Sequence, residues 1–450
     1  MAQAEGKSTN PAAIFDVHNP PAAELYNKCV HCGFCLPTCP TYALWGEEMD
    51  SPRGRIYLMK LGNEGKAQLT ESYVRHFDQC LGCMACMTAC PSGVQYGKLI
   101  EATRSQIERN HRRSLGDTIH RQLIFKIFPY PERLRAVLWP AWAYHASGLR
   151  ALVRGAGLLK LLPRQLRSAE ALLPAITLRE LRARMPERIP AQGPMRKRVG
   201  LLTGCVQSVL FSGVNAATAR VLAAEGCEVI IPADQGCCGA LAVHAGQEEQ
   251  ALDFARKLIT VFERAEVDTI VINAAGCGST MKEYGYLLRN DPQYAERAKA
   301  FAAKCKDISE VLAELEPRAV RHPLPLRIAY HDSCHLQHAQ RIRSQPRQVL
   351  KTIPQLEILE VPDFAICCGS GGIYNLVQPE TAAQLGDMKV KNCLSTNPDM
   401  VVSANPGCLV QISSGLKRAG KQVPVLHMIE LMDAAILGTP ASELQARAAG

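Results

Sequence analysis

Short apolar runs alternate with longer amphipathic stretches from residue 199 onward. VGLLTG, CEVIIPA and TIVINAAG, at 199–204, 227–233 and 269–276, are typical of buried strands. The stretches between them, NAATARVLAAEG and EEQALDFARKLITVFERAE, have the spacing of helices. This alternation predicts an α/β fold in which parallel sheets are covered by helices.

The same pattern occurs twice along the chain. VGLLTGC at 199–205 matches RIAYHDSC at 327–334, GCCGA at 236–240 matches CCGSG at 367–371, and TIVINAAGC at 269–277 matches MVVSANPGC at 400–408. The matched pieces keep nearly constant spacing. We therefore predict two α/β halves, the first cysteine-rich half at 199–326 and the second at 327–440, related by a pseudo-twofold axis.

Cysteines follow the apolar runs in both halves. Sites in open parallel sheets form beyond the carboxyl ends of the strands, so we expect these thiols to converge on a metal ion, a further cluster, zinc or a redox disulfide. The competing interpretation is that they are small apolar groups that pack at strand ends. The eight candidates are Cys205, Cys237, Cys238, Cys277, Cys334, Cys367, Cys368 and Cys408.

Three histidines lie near these thiols. His331 and His335 flank Cys334, and His244 follows the first Cys-Cys-Gly. Each is a candidate ligand or proton donor, although a lone histidine is more often structural. Cys227, Cys305 and Cys393 fit neither half of the pattern and are predicted to be buried packing residues.

The cysteine content changes the interpretation of the whole chain. There are 19 cysteines in 450 residues, an odd number. The first 20 residues lack the basic start and apolar run of a signal peptide, so we expect a cytoplasmic protein whose thiols stay reduced. The cysteines are therefore interpreted as ligands or free thiols rather than as a disulfide framework.

The strongest motif is C-x2-C-x2-C-x3-C-P, which occurs at 29–40 and again at 80–91. This spacing is that of [4Fe–4S] clusters, and in two-cluster ferredoxins the fourth cysteine ligates the other cluster. The first cluster is then predicted at Cys29, Cys32, Cys35 and Cys90, and the second at Cys80, Cys83, Cys86 and Cys39. A zinc site is the alternative, but it would use pairs of cysteines separated by longer loops. Residues 25–100 are predicted to form this ferredoxin-type, mainly helical domain.

The remaining N-terminal regions carry weaker signals. Residues 1–24 are predicted to be a loose leader. Residues 101–198, the basic connector, contain no cysteine, are rich in lysine and arginine, and are predicted to form short helices. These helices should break at Pro129, Pro131, Pro140, Pro163, Pro174 and Pro186. Their charge indicates either a solvated face or a surface for an anionic membrane or an acidic partner, and no nucleic-acid motif accompanies it.

The motifs that this sequence lacks also narrow the range of functions it could have. The chain has no G-x-G-x-x-G after a strand, no Walker loop and no apolar stretch long enough for a transmembrane helix. It therefore shows no flavin or nicotinamide site of its own, and a partner should supply the substrate chemistry. A non-redox zinc or interaction module remains an alternative.

These motifs together resemble one broad family, the iron–sulfur subunits of glycolate oxidase, lactate-utilisation complexes and anaerobic glycerol-3-phosphate dehydrogenase, and the heterodisulfide reductase subunits. CVHCGFCLPTCPTY, SPRGRIYLMK, GCGSTMKEYGYLL and VPDFAICCGSGGIYNL are most similar to the glycolate oxidase members. The resemblance implies partner subunits that carry FAD and oxidise glycolate or another 2-hydroxyacid. It also implies electron transfer to the membrane quinone pool and a peripheral position on the inner membrane.

One departure from this family concerns the cysteine-rich halves. In heterodisulfide reductase the pattern ends in C-x-x-C and supplies five ligands to a noncubane cluster. Here Thr280 and Gln411 stand where the last cysteine would be. The resemblance therefore argues against a noncubane cluster and against a disulfide reductase, the less favoured alternative.

Overall fold

The computed structural model describes residues 14–158, 167, 170 and 177–449. Helices dominate as far as residue 182, and strands alternate with helices after it. The N-terminal helices are α1 (Ala23–Tyr26), α2 (Pro40–Trp45), α3 (Pro52–Asn63), α4 (Glu71–Asp78), α5 (Ala85–Ala89), α6 (Tyr96–Asn110), α7 (Leu115–Ile127), α8 (Pro131–Ala146), α9 (Leu149–Gly155) and α10 (Leu178–Arg182). A 3₁₀ turn covers Glu48–Asp50.

The first cysteine-rich half is built on a mixed but mainly parallel sheet. Its strands are β1 (Arg188–Ile189), β2 (Lys197–Leu201), β3 (Cys227–Ile230), β4 (Thr269–Ile272) and β5 (Cys305–Asp307). They lie in the order β1-β3-β2-β4-β5, with only β1 antiparallel to its neighbour within the described residues. The helices are α11 (Gln207–Leu210), α12 (Ser212–Ala224), α13 (Ala240–His244), α14 (Glu248–Arg264), α15 (Ala275–Lys282), α16 (Tyr284–Leu287), α17 (Ala295–Lys304) and α18 (Ile308–Glu314).

The second half repeats this order with four parallel strands. They are β6 (Leu326–His331), β7 (Leu356–Glu360), β8 (Met400–Ser403) and β9 (Val425–His427), arranged β7-β6-β8-β9. A π-helical turn covers His335–Ala339. The helices are α19 (Ser344–Leu350), α20 (Tyr374–Val377), α21 (Pro379–Leu394), α22 (Pro406–Arg418), α23 (Met428–Leu437) and α24 (Ala441–Ala449). The α/β class and the repeat are therefore confirmed.

The two halves meet through a reciprocal pair of helix contacts. Helix α12 packs on α23, and α18 packs on α19. In each pair, one helix follows an inner strand of its own half, and its partner follows the edge strand of the other half. A twofold relation between the halves requires this reciprocal arrangement. Apolar side chains of both halves form one buried core there, among them Leu222 and Met432.

The ferredoxin-type domain has its own core around Met59, Phe77 and Leu99, all fully buried. The prediction of a loose leader is wrong for the described residues 14–22, because Phe15 is only 3% exposed in this core. Asp16 also accepts hydrogen bonds from Gln106 and Arg109 of α6. Residues 1–13 of the predicted leader lie outside the described residues.

The described part of the basic connector is mainly helical, but it also contains strand β1 and the start of β2, and Pro140 does not break a helix. It lies inside α8, where it is exposed. Because proline has no backbone N–H, the Ala136 carbonyl receives no helical hydrogen bond from it. Ala136 is exposed, so water can donate to that carbonyl instead. Pro163 and Pro174 lie outside the described residues. Among the described helices, none is both long and apolar enough to cross a membrane.

Candidate metal centres

An outer cavity of about 420 Å³ opens between the two tetracysteine segments. Its lining includes Cys29, Cys32 and Cys35 of the first segment and Cys90 of the second. Gly33 turns the backbone there at φ +88°, and a Cβ at this position would lie 3.0 Å from the Arg53 guanidinium. The loop can therefore wrap closely around a bound group only with glycine in place.

An inner cavity of about 300 Å³ lies deeper in the domain. Its lining includes Cys80, Cys83 and Cys86 together with Cys39 of the first segment. Both segments thus contribute thiols to each cavity, and Cys86 lines both, so the crossed assignment of ligands stays a prediction. Four soft thiols are a donor set that suits an iron–sulfur cluster.

The two cavities differ in exposure. Cys32 in the outer cavity is exposed, and Val30 and Phe34 beside it are 68% and 67% exposed. Cys83 and Cys86 in the inner cavity are each 9% exposed, and burial raises the pKa of both thiols well above its usual value. A cation that replaces their protons removes this cost of burying thiolates.

Buried positive charge also faces the inner cavity. Arg55 is 1% exposed and lines this cavity, where its guanidinium donates to the Thr41 hydroxyl and to Asp50. Burial opposes ionisation of Cys80, but the charges of Arg55 and Arg104 outweigh it and lower the pKa of this thiol. The two arginines therefore make ionisation of Cys80 easier than that of an ordinary thiol.

Arg104 was not predicted to contribute, because α6 carries no motif around it. Its guanidinium donates to three backbone carbonyls, those of Phe77, Cys80 and His244. It thereby joins the inner cysteine loop to the first cysteine-rich half. Arg53, by contrast, pairs with Glu48 at 2.7 Å near the surface and donates to the His31 carbonyl.

The first thiol set comprises the four cysteines at the strand ends of the first half. The Sγ atoms of Cys205 and Cys237 are 3.4 Å apart, and the Gly239 N–H donates to Cys237. Hydrogen bonds from Cys237 and Cys277 lower the pKa of Cys238 well below its usual value. Three buried thiols and the half-buried Cys277, joined by a series of thiol–thiol hydrogen bonds, are suited to share a cation.

The second thiol set comprises Cys334, Cys367, Cys368 and Cys408. The Sγ atoms of Cys334 and Cys367 are 3.9 Å apart. The pKa of Cys408 is lowered by a hydrogen bond from Cys368, and also by one from His331, which together outweigh burial. The thiol–thiol hydrogen bonds among the described residues join cysteines of the same half, so the eight thiols form two sets rather than one.

The second thiol set lies against the inner cavity. Cys367 and Cys334 share an apolar cluster with Leu81 and Cys83, the latter an inner-cavity thiol. The first set lies elsewhere, where Cys205 and Cys237 pack with Phe254. Only the second set, among the described residues of the two halves, thus shares an apolar cluster with a thiol of the ferredoxin-type domain.

The other two histidine candidates bond to oxygen atoms. His335 pairs with the Ser279 hydroxyl at 2.7 Å and the Gly82 carbonyl at 3.1 Å. His244 lies 3.1 Å from a carboxylate oxygen of Glu101, and the rings of the two histidines are 4.7 Å apart. They link the first half, the second half and the cysteine loop of the ferredoxin-type domain.

The residues that replace the expected fifth cysteines are buried. Gln411 donates to the Ala382 carbonyl at 2.7 Å and accepts from Asn375. Thr280 is 5% exposed, and its hydroxyl has no hydrogen-bond partner. Neither supplies a soft ligand. Cys227, Cys305 and Cys393 are buried in apolar clusters. Cys305 shares its cluster with Cys238, and Cys393 shares one with Cys368 and Cys408.

Family models match most of the chain. One described as "4Fe-4S dicluster domain" matches residues 25–94, and one described as "Cysteine-rich domain" matches 199–282 and 328–413. A third, "Glycolate oxidase iron-sulfur subunit, linker region", matches residues 116–173 in the basic connector.

Two curated proteins match over nearly their full lengths. The chain is 41% identical to the probable glycolate oxidase iron–sulfur subunit of Bacillus subtilis, covering 91% of this chain and 93% of that protein. It is 38% identical to the glycolate oxidase iron–sulfur subunit of Escherichia coli, covering 92% and 95%. A hypothetical protein from Helicobacter pylori has a similar fold, with a TM-score of 0.54 at 10% identity over 86% of this chain and 68% of that one.

Proposed function

Because this chain belongs to the family of glycolate oxidase iron–sulfur subunits, we propose that it carries electrons from flavin-containing partner subunits, which oxidise glycolate, to the membrane quinone pool. The observation that carries the proposal is the arrangement of thiols. Two cavities lined by thiols lie side by side and share Cys86, and Cys83 of the inner one shares an apolar cluster with the second thiol set.

The crossed ligand sets are part of this proposal. Cys29, Cys32, Cys35 and Cys90 would hold one [4Fe–4S] cluster, and Cys80, Cys83, Cys86 and Cys39 the other. When bound, such clusters accept and donate single electrons. Around them the chain holds the thiols in closed loops, excludes water from the inner cavity, and places Arg55 and Arg104 where they offset negative charge.

The outer cavity supports docking of the flavin-containing partner at that end. Val30 and Phe34 project from the same loop as the exposed Cys32 and are themselves about two-thirds exposed. Exposed apolar side chains beside a ligand loop are typical of a surface that another protein covers. This surface would place the partner next to the outer thiols.

Helix α7 supports a peripheral position on the inner membrane. Leu115, Ile119 and Leu123 follow one another at four-residue spacing and are all at least half exposed. Exposed Arg112 and Lys126 lie near the two ends of this row. An apolar row with flanking positive charge suits the surface of an anionic bilayer.

Binding to anionic vesicles should weaken as salt is raised, and salt-insensitive binding would contradict an electrostatic role.

The central experiment replaces Cys83 by serine in the assembled complex. We expect glycolate-dependent reduction of a quinone analogue to be lost, because the inner site loses a thiolate ligand. Reduction of a dye that takes electrons directly from the flavin should persist, which shows that the partners are intact. Cys227→Ser is the matched control, since Cys227 is also buried but lies in no thiol set. Unchanged quinone reduction in Cys83→Ser would refute the proposal.

A second candidate function is a reductase whose reaction takes place at the second thiol set. The close packing of Cys334 and Cys367 on Cys83 favours it, because electrons would have a direct route to these thiols. It predicts that Cys368→Ser abolishes acceptor reduction while the signals of the ferredoxin-type domain persist in electron paramagnetic resonance (EPR). Normal turnover of that variant would exclude it.

A further inference from the structure

His331 is a buried imidazole whose hydrogen bonds are incomplete. It is the last residue of β6 and is 2% exposed. Its Nε2 atom has no hydrogen-bond partner. A buried polar atom left unpaired costs roughly 1–3 kcal/mol, so a residue with this arrangement calls for an explanation.

The backbone holds His331 firmly in place. Its carbonyl accepts a hydrogen bond from the Ser403 hydroxyl at 3.1 Å, and the two residues are paired in the β6–β8 ladder. The ring is therefore carried on a rigid sheet rather than on a loop. A ligand on a rigid element keeps its geometry without a bound ion.

The ring lies among thiols of the second set. A ring nitrogen of His331 and the Sγ atoms of Cys368 and Cys408 all lie within 4.8 Å of one another. This is the one group of three such ligand atoms at so short a spacing among the described residues. All three residues are buried, so a cation between them would be shielded from water.

The first half lacks this feature at the equivalent position. In the repeat, Leu202 aligns with His331, as Cys205 aligns with Cys334. Leu202 is 2% exposed and packs in an apolar cluster that also contains Cys238. A strand position that is apolar in one half and imidazole in the other is not explained by packing alone.

We propose that His331 is a metal ligand, and that with Cys368 and Cys408 it holds a thiophilic metal ion, either zinc or an iron of a cluster, in the second half. Imidazole binds both metals, and zinc sites with two cysteines and a histidine are a known combination. The first half then offers thiols alone. The two halves therefore differ in the charge of the ligands they present, since an imidazole is neutral and a thiolate is not. This inference is independent of the relay role proposed above.

The first test uses the wild-type full chain, purified anaerobically. If the site holds iron, histidine labelled with ¹⁵N should give nitrogen couplings in pulsed EPR. If it holds zinc, X-ray absorption at the zinc edge should show imidazole scattering beside sulfur. Iron or zinc bound by sulfur alone would overturn the proposal.

The second test assigns the nitrogen to His331. His331→Cys should keep the metal content and lose the histidine signal, because it exchanges one ligand for another. His331→Ala should lose one zinc, or about four irons, per chain. His338→Gln is the matched control: His338 is buried on the next turn but pairs with oxygen atoms of Thr88 and Ala365. Circular dichroism checks folding, and a wild-type histidine signal in His331→Cys would refute the assignment.

Discussion

The two cysteine-rich halves share a strand order and a thiol pattern but have different neighbours. The second set packs on Cys83 of the ferredoxin-type domain through an apolar cluster. The first half faces the same domain through polar groups, where Glu101 of α6 meets His244. Both halves thus keep a set of four cysteines. Whether that set lies next to a thiol of the ferredoxin-type domain depends on what each half packs against.

The polar contact of the first half lies in the wall of a cavity of about 280 Å³, which is also lined by Glu283 and His335. Burial raises the pKa of Glu101 to about 7, and burial together with the nearby Glu101 raises that of Glu283 to about 7. Burial also lowers the pKa of His244 to about 4. The acid and imidazole here are therefore mostly neutral at moderately acidic pH, unlike the charged arginines at the inner cavity.

The largest expected difference between the halves is in electron transfer. Cys367→Ser should lower quinone-analogue reduction by at least about tenfold, because Cys367 packs beside Cys83 and the loss of a ligand or its support typically costs this much or more. The equivalent Cys237→Ser should have a smaller effect, since Cys237 packs with Phe254 instead. Steady-state kinetics of the two complexes makes the comparison. Equal losses would show that the halves act alike.

The next difference concerns the glycines that follow the paired cysteines. Gly369 and Gly239 both have left-handed backbone, at φ +91° and +78°. A Cβ at Gly369 would lie 2.5 Å from the Ala382 carbonyl oxygen, whereas at Gly239 the nearest atom, the Ala251 oxygen, is at 3.3 Å. We expect Gly239→Ala to lower the free energy of unfolding by about 1–2 kcal/mol and Gly369→Ala by more. Denaturation midpoints measure this, and a reversed order would contradict the packing argument.

Much of this comparison could be predicted from the sequence, because it depends on local spacing. The strands at 199–204, 227–233 and 269–276 appear at Lys197–Leu201, Cys227–Ile230 and Thr269–Ile272. The cysteine spacing also predicted that each cavity takes thiols from both tetracysteine segments. The strand positions and the cysteine groups could be predicted because both depend on regular residue spacing within short segments.

The remaining features depend on long-range packing that has no periodic signal. The burial of Phe15 and the carbonyl contacts of Arg104 join segments far apart in the chain. The sequence did contain a signal for His331, because the repeat aligns this histidine with the apolar Leu202. A single histidine carries little information until the fold shows which side chains surround it.

A third prediction tests the polar contact of the first half through pH. Because the pKa of Glu101 is higher in the folded chain than its ordinary value of 4.5, folding favours the protonated acid, and stability is lost as pH rises from about 4.5 towards 7. Glu101→Gln lacks this loss. It should be more stable than wild type by about 1–3 kcal/mol at pH 8 and nearly equal at pH 4.

Thermal unfolding at the two pH values measures this difference. Glu357→Gln is the control, because Glu357 is an exposed residue of β7 and its replacement should shift both values little. If Glu101→Gln were destabilising at pH 8, the acid would be ionised and paired with His244 in the folded chain. The contact of the first half would then be a charged one, like those around the inner cavity.

The smallest expected effect concerns the ion pair that joins the two halves. Arg220 of α12 donates to both oxygens of Asp433 on α23, at 2.9 and 2.5 Å. The arginine side chain is 49% exposed, so water screens the pair and a double-mutant cycle of Arg220→Ala with Asp433→Asn should give a coupling of about 1 kcal/mol or less. The fully buried Leu222 and Met432 at the same interface remove far more apolar surface from water. A coupling well above this value would mean that charge, rather than the shared apolar core, holds the two halves in register.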